Sequence, residues 1–403
     1  MSTSLNTLLI VIDSARYNNP YSVFDTIRDT VKQFGGREYT EVRSPSIWSL
    51  PSHVSFLSGI SPSEHGVMQN TDSVRDDVSL LYDELPGESG VFSTNPFLED
   101  SEYGLTSQFD HRVHEPDLST EGLLSHSKEV VQRLFRDRHI VNHLKTWIGS
   151  QDEQSWNALV NLMDVHTPYI PETMQYSNTR GVFFEKNTRY DGDFDVSSSQ
   201  LSVKQSLYCD CLLSVSNRIK SIITYLEDIG ELQNAHIVIT SDHGEGFGES
   251  TPFHDRDSVY HYNSVGDELL HVPMFEIRPD MTEFERVDSL GSVTNLYGLF
   301  TGELDSVCCE KTTASVVFGG NLFSEKPFSG EVGNVLYRER DDGKIEKFVV
   351  SGGGTAWSTT DDSDEDVRDL VMSSVENDDE NDISTSGAIS SVTEDRLNDL
   401  GYI

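Results

Sequence analysis

The chain has 403 residues, long enough to bury a large core as one α/β domain with smaller appendages. Its 29 basic and 68 acidic residues give a net charge of −39, spread along most of the chain, and this argues against nucleic acid as a partner. Such self-repulsion weakens a compact state unless concentrated salt screens it, so the composition points to a halophilic protein in a salt-rich cytoplasm. Its melting temperature is expected to fall as ionic strength is lowered, and thermal melts across a salt series check this.

The N-terminal "MSTSLNTLLIVIDSAR" has no basic leader, and its apolar run is too short to cross a bilayer; it reads as a strand. No later segment is long and apolar enough to span a membrane either. "TLLIVID" (Thr7 to Asp13) is nearly all apolar and ends on a carboxylate, as expected of a strand buried on both faces of a parallel sheet. In "SIWSLPSHVSFLSG" (Ser46 to Gly59), Pro51 belongs in the first turn of a short helix that Gly59 stops, which puts Ser49 at or next to its N-cap. "NALVNLMDVH" (Asn157 to His166) is a weaker strand. Leu207, Cys211, Val215, Ile219, Ile223 and Leu226 then recur at helical intervals up to Gly230. "AHIVITSD" (Ala235 to Asp242) repeats the buried-strand pattern, and "HVPMFEI" (His271 to Ile277) is a weaker version of it.

Strands alternating with helices predict an α/β fold, a three-layer sandwich around a mainly parallel sheet. Residues 1–325 form the expected catalytic domain, and 326–357, with a hairpin turning at Asp342-Gly343, a small antiparallel element. Residues 358–391 are too acidic and too poor in apolar side chains to fold alone, and 392–403 regain the spacing of a docking segment. Cys209 with Cys211 and Cys308 with Cys309 have neither zinc-finger spacing nor the look of a secreted disulfide framework, which fits a reduced, cytoplasmic protein.

Open α/β sheets gather ligands at the carboxyl ends of their strands, where Asp13 and Asp242 fall. Asp242 and His243, entering the glycine-rich "SDHGEGFGE", either offer an oxygen and an imidazole to a divalent cation or simply cap a turn. Asp13 presents the same choice, because two neighbouring carboxylates repel unless a cation lies between them. Ser49 is either an ordinary capping residue or a nucleophile whose alkoxide the helix N-terminus stabilises.

The order "LLIVIDSAR", "SLPSHVSFLSGISPSEHGV", "NLMDVHTPY", "IVITSDHGEGFGE", "DELLHVPMF" and "RLNDLGYI" resembles the sulfatase branch of the alkaline phosphatase superfamily. The resemblance implies that Asp13, Asp242 and His243 bind a divalent metal ion (Ca, Mn, Zn or Mg), with Ser49 as nucleophile and fourth ligand. It implies that His166 contacts the transferring group or leaving oxygen, and that His261 is a further metal or substrate ligand, leaving one cation site or two. Arg16, His53 and Asp164 are expected in supporting positions. Where sulfatases carry an arginine that supports conversion of the nucleophile to formylglycine, this chain has His53. Ser14 replaces the second of their paired acids, and "GVFSTNPFLED" their Gly-Lys-Trp-His element. The expected activity is therefore hydrolysis of a sulfate or phosphate ester through serine, on a small anionic ester, glycan or lipid substrate. Two alternatives stand beside it: a phospho-group or sulfuryl transferase in surface-glycan tailoring, and a non-catalytic scaffold that binds an anionic ligand.

Overall fold

The structure is a computed structural model, described for residues 5–114, 125–151, 155–181, 197–249, 258–261 and 266–308, and for strands at 328–332, 335–339, 345–351, 356–360 and 384–386. Its first strand, β1 (Asn6–Ile12), is buried along its whole length. It lies between β6 (Trp156–Leu162) and β7 (Ala235–Thr240), parallel to both, with Ile12 opposite Leu162 and Val11 opposite Thr240. The eight-stranded sheet runs β11-β2-β10-β7-β1-β6-β4-β5, completed by β2 (Gly36–Arg43), β4 (Glu88–Phe92), β5 (His111–Val113), β10 (His271–Ile277) and β11 (Phe284–Ser292). Within it β10 runs antiparallel to both its neighbours, β7 and β2, whereas the other pairings are parallel. Pro273 interrupts the β10–β2 register between Val272 and Met274, as expected for a residue with no N–H to give the ladder.

Period-two alternation sends the side chains of β1 into two different cores. Leu8, Ile10 and Ile12 pack with residues of α1 (Asp25–Phe34) and of two long helices. Leu9 and Val11 meet Leu50, Val54 and Leu57 of α2 (Ser49–Ser58) on the opposite face, where α3 (Pro62–His65) and α4 (Leu81–Glu84) also lie close to α2. The two long helices are α5 (Ser125–Ile148) and α6 (Ser198–Asp228), and α6 has the apolar spacing read from the sequence. Helices cover both sheet faces, the three-layer arrangement the alternating pattern predicts. Shortening any fully buried β1 side chain, such as Ile10 to Ala, removes about 2–5 kcal/mol.

Outside the large sheet β8 (Gly246–Glu249) pairs antiparallel with β9 (Ser258–Tyr260), and a four-stranded antiparallel sheet follows, made of β12 (Phe328–Val332), β13 (Val335–Glu339), β14 (Ile345–Ser351) and β15 (Ala356–Thr360). Strand β15 extends into the segment expected to be unstructured, and β16 (Ser384–Ser386) pairs there with β3 (Asp72–Val74). In both places the pairing partner supplies the hydrogen bonds that local composition does not. Residues 361–383 and 387–403, including the expected docking segment, lie outside the described residues, as does Cys309. Among the described residues no helix is long and apolar enough to cross a membrane.

Candidate active site

The parallel order β6-β1-β7 brings three strand ends together, and the candidate residues leave from those ends. Asp13 directly follows β1, with its N–H donating to the Leu162 carbonyl at 3.0 Å. Asp242 and His243 lie just beyond β7, and His166 follows β6. Asp13, Asp242 and His243 are fully buried, with one ligand atom each inside a common 4.8 Å sphere of separation. Among the described residues they are the one group of three acidic, histidine or cysteine side chains so arranged.

Ser49 opens α2 behind an extended Trp48, which leaves the first N–H groups of the helix without intrahelical acceptors. Its Oγ lies 3.4 Å from Asp13 Oδ2 and 3.5 Å from His243 Nε2. Gly59 closes α2 in the left-handed conformation at φ 74°, donating to the Ser55 carbonyl at 2.8 Å. The neighbouring serines are engaged elsewhere. Ser52 Oγ lies 3.4 Å from the Ser46 carbonyl, Ser55 Oγ 3.0 Å from His65 Nε2, and Ser58 Oγ donates to the Val54 carbonyl at 2.6 Å.

His53 lies one helical turn beyond Ser49. Its Nδ1–H donates to the Ser49 carbonyl at 2.7 Å, so Nε2 is the acceptor that meets the Asn161 amide at 3.3 Å. Burial pushes this imidazole down to about 4, so it is neutral at pH 7 and does not supply the charge of an arginine.

Two residues whose contacts motif reading did not foresee complete the setting of Asp13. Asn95 follows β4 and donates through Nδ2 to Asp13 Oδ2 at 2.9 Å, while its Oδ1 caps a short turn at Phe97 N, 3.0 Å away. Asn-Pro after a strand reveals the turn in the sequence, but not the contact to Asp13. Ser14 is held at φ 60°, a left-handed conformation uncommon for serine. There its N–H reaches Asp242 Oδ1 at 3.1 Å, and its Oγ reaches Asp13 Oδ1 at 3.0 Å. The residue that replaces a second acid thus bridges the two remaining acids.

The electrostatics of these groups suit a divalent cation. Burial and then the charge of Asp242 push Asp13 up to about 7, and burial pushes Asp242 up to about 6. Asp242 Oδ2 is buried with no hydrogen-bond partner. His243 gives its Nδ1 hydrogen to the Gly244 carbonyl at 2.8 Å, which leaves the Nε2 lone pair facing the carboxylates; Nε2 lies 3.7 Å from Asp242 Oδ2. Burial also lowers His243 to about 4, so the ring is held in the neutral form that binds metals. Two crowded carboxylates, a neutral imidazole and a hydroxyl fit a divalent ion bound through oxygen and nitrogen.

His261 and His166 extend the cluster: the His243 and His261 rings are 5.0 Å apart, and the His261 and His166 rings 5.6 Å. His261 Nδ1 also lies 3.7 Å from Glu245 Oε1, another buried carboxylate that motif reading did not single out. His261 is thus a neighbour of the three-ligand group.

Two expected supporting residues have other partners. Arg16 is 7% exposed, pairs with Glu249 at 2.5 Å and donates to the Glu245 carbonyl at 3.2 Å. Asp164 turns away into an ion network, 3.1 Å from Arg218. In both cases an oppositely charged side chain on another element offsets the cost of burying the ion.

Comparison with known proteins agrees with this architecture. The structure is similar to the phosphonate monoester hydrolase of Agrobacterium radiobacter, with a TM-score of 0.63 at 13% identity over 92% of this chain and 94% of that one. It is similar to the phosphonate monoester hydrolase SpPMH from Silicibacter pomeroyi, with a TM-score of 0.65 at 15% identity over 94% and 96% of the two chains. BT4656, solved in complex with its substrate D-glucosamine-2-N,6-O-disulfate, matches with a TM-score of 0.61 at 12% identity, over 93% of this chain and 97% of its own. No curated protein matches the sequence. The sulfatase family model matches residues 5–300, the segment that holds all eight strands of the sheet and every residue of the site. The chain is thus an enzyme of the sulfatase family.

Proposed function

We propose that the protein is a metal-dependent hydrolase of phosphate or sulfate esters that uses unmodified Ser49 as its nucleophile. The observation that carries this reading is the place of Ser49 Oγ at the N-terminus of α2, 3.4 Å from Asp13 and 3.5 Å from His243. A divalent ion held by Asp13, Asp242, His243 and Ser49 would supply Lewis acidity, favouring the alkoxide and neutralising charge on non-bridging oxygens.

In the first step Ser49 Oγ gives its proton to solvent and attacks phosphorus or sulfur, forming the Oγ bond as the bond to the leaving oxygen breaks. The α2 N–H groups and helix dipole favour the negative oxygen. His166 stabilises that leaving oxygen. Its Nδ1–H is committed to the Thr167 carbonyl at 2.8 Å, so Nε2 is the nitrogen that would meet the substrate, and it does so as a donor, in the imidazolium form, whose Nε2 proton passes to the leaving oxygen. Water then attacks the Ser49 ester, its proton goes to solvent, and Oγ leaves with the charge. Asn95 and Ser14 hold Asp13 throughout.

Phosphorus esters are favoured over sulfate esters because neutral His53 stands where the formylglycine signature has arginine. Similarity to phosphonate monoester hydrolases supports that choice, and BT4656, with its sulfated sugar, keeps sulfate esters in the test. The cytoplasm is the proposed compartment, on the acidic composition.

The test pairs a substrate screen with peptide mass spectrometry over residues 44–58. Aryl phosphate, phosphodiester, phosphonate ester and aryl sulfate substrates are compared across Mn, Zn, Mg and Ca. Turnover of a phosphorus ester with Ser49 at its unmodified mass is expected. A mass two hydrogens lower at Ser49, with turnover of aryl sulfate alone, would overturn the unmodified-serine reading.

A further inference from the structure

The main-chain turn that carries His166 is gripped from the helical layer. Beyond Leu162 the pairing of β6 with β1 ends, and the next two N–H groups find one shared acceptor. Asp137 on α5 accepts from Met163 N through Oδ1 at 3.0 Å and from Asp164 N through Oδ2 at 2.9 Å. Next to it, Arg136 donates through Nη2 to the Met163 carbonyl, and that same carbonyl accepts from His166 N at 3.0 Å. Both side chains are buried, Asp137 completely. Asp164 holds the pair in place from the other side, 3.8 Å from Arg136 and 3.1 Å from Arg218.

A carboxylate that takes two successive N–H groups fixes the peptide between them in position and in tilt, and charge-assisted bonds of this kind are stronger than neutral ones. The turn also borders the nucleophile's side of the site, since the carbonyl of Leu162 accepts from Asp13 N. We infer that Asp137, together with Arg136, is a positioning residue for the reaction: α5 fixes the Met163–His166 turn and so sets where His166 meets the leaving oxygen. This rests on the role given to His166 under the proposed function. Asp137 itself touches neither substrate nor metal.

A purely structural clasp and a positioning clasp differ in one readout. If the clasp serves leaving-group stabilisation, its loss matters most for esters that leave poorly and least for nitrophenyl esters, which leave without help. Asp137→Asn keeps one acceptor oxygen and turns an NH2 group toward the other N–H. On esters of alcohols with high pKa it is expected to lower kcat about 10- to 100-fold, with nitrophenyl turnover and KM held within about 3-fold. Arg136→Gln, which leaves the carboxylate in place, is expected to show the same slope with a smaller loss, and it carries the test should Asp137→Asn fail to fold. Added to His166→Ala, Asp137→Asn should cost nothing further, because both changes remove one function. Equal loss across all leaving groups, or no loss, in the clasp variants overturns the inference if His166→Ala still shows leaving-group dependence. A His166→Ala enzyme with no such dependence overturns the reading of His166, and the inference with it.

Discussion

Replacing Ser49 by alanine is expected to abolish turnover, lowering kcat by at least about 10³-fold, while the fold and the bound metal remain. The reason lies in where the side chain stands. Ser49 is buried at the first helical position of α2, and its Oγ is the hydroxyl placed beside both Asp13 and His243. Without it, water would have to attack the ester directly, and no other side chain described there replaces the lost covalent step. Ser52 makes the informative control, since its Oγ is hydrogen-bonded to the Ser46 carbonyl and Ser44 Oγ. Ser52→Ala should lose at most about 1 kcal/mol of stability and keep near-normal turnover. Rapid-quench detection of the covalent ester, present in Ser52→Ala and absent in Ser49→Ala, checks both expectations. Equal turnover by Ser49→Ala and the native protein would remove Ser49 from the mechanism.

The second large effect concerns the cation. Asp242→Ala and His243→Ala are each expected to bring bound divalent metal close to zero and to lose activity with it, with the secondary structure retained. Each supplies one of the three carboxylate or imidazole ligand atoms that lie within 4.8 Å of one another, and losing one of these weakens binding far more than losing the neutral Ser49 hydroxyl. Elemental analysis of the dialysed proteins gives the answer, and full metal content in either variant would refute the site.

The acid–base behaviour of the same carboxylates adds a pH signature. Asp13 is raised from 3.8 to about 7 and Asp242 from 3.8 to about 6, so between those values the metal-free folded chain binds more protons than the unfolded chain. Their burial therefore costs stability as pH rises through that window, and the cost is complete above about pH 7. In the presence of a chelator, Asp13→Asn should melt above the native protein at pH 8, and the gap should narrow as pH falls below 7 and close only near the unfolded carboxylate value of 3.8. Saturating metal should reverse the order, because it binds the native carboxylate and stabilises the folded state.

Much of the scaffold was legible in the sequence because its signals are local. A continuous apolar run marks β1 and β7 as strands buried on both faces, and the helical spacing of Leu207 to Leu226 marks α6. Pro51 and Gly59 bound α2 through φ restriction and left-handed closure, which placed Ser49 at its start. Strand-end carboxylates pointed to the site because the carboxyl edge of a parallel sheet is where side chains from separate strands converge.

Which strand ends meet was decided only by the tertiary structure. Adjacency of β6, β1 and β7 is a choice among pairings of buried strands, and no local periodicity encodes it. The reversed direction of β10 is hidden for the same reason, since a buried antiparallel strand and a buried parallel one carry the same apolar run. Asn95 reads as a turn former and Ser14 as a neutral replacement for an acid, and only the packed chain turns both toward Asp13. Arg16 and Asp164 stand beside motif residues in the sequence, yet in the folded protein they face Glu249 and Arg218, because a buried charge settles on the partner that offsets its lost hydration. The sequence by itself determined the layers, the helix ends and the chemical types at the strand ends, all of which depend on spacings of a few residues. The tertiary structure decided which charges pair, which carboxylates crowd and which helix grips the His166 turn, because those depend on contacts between residues far apart in the chain.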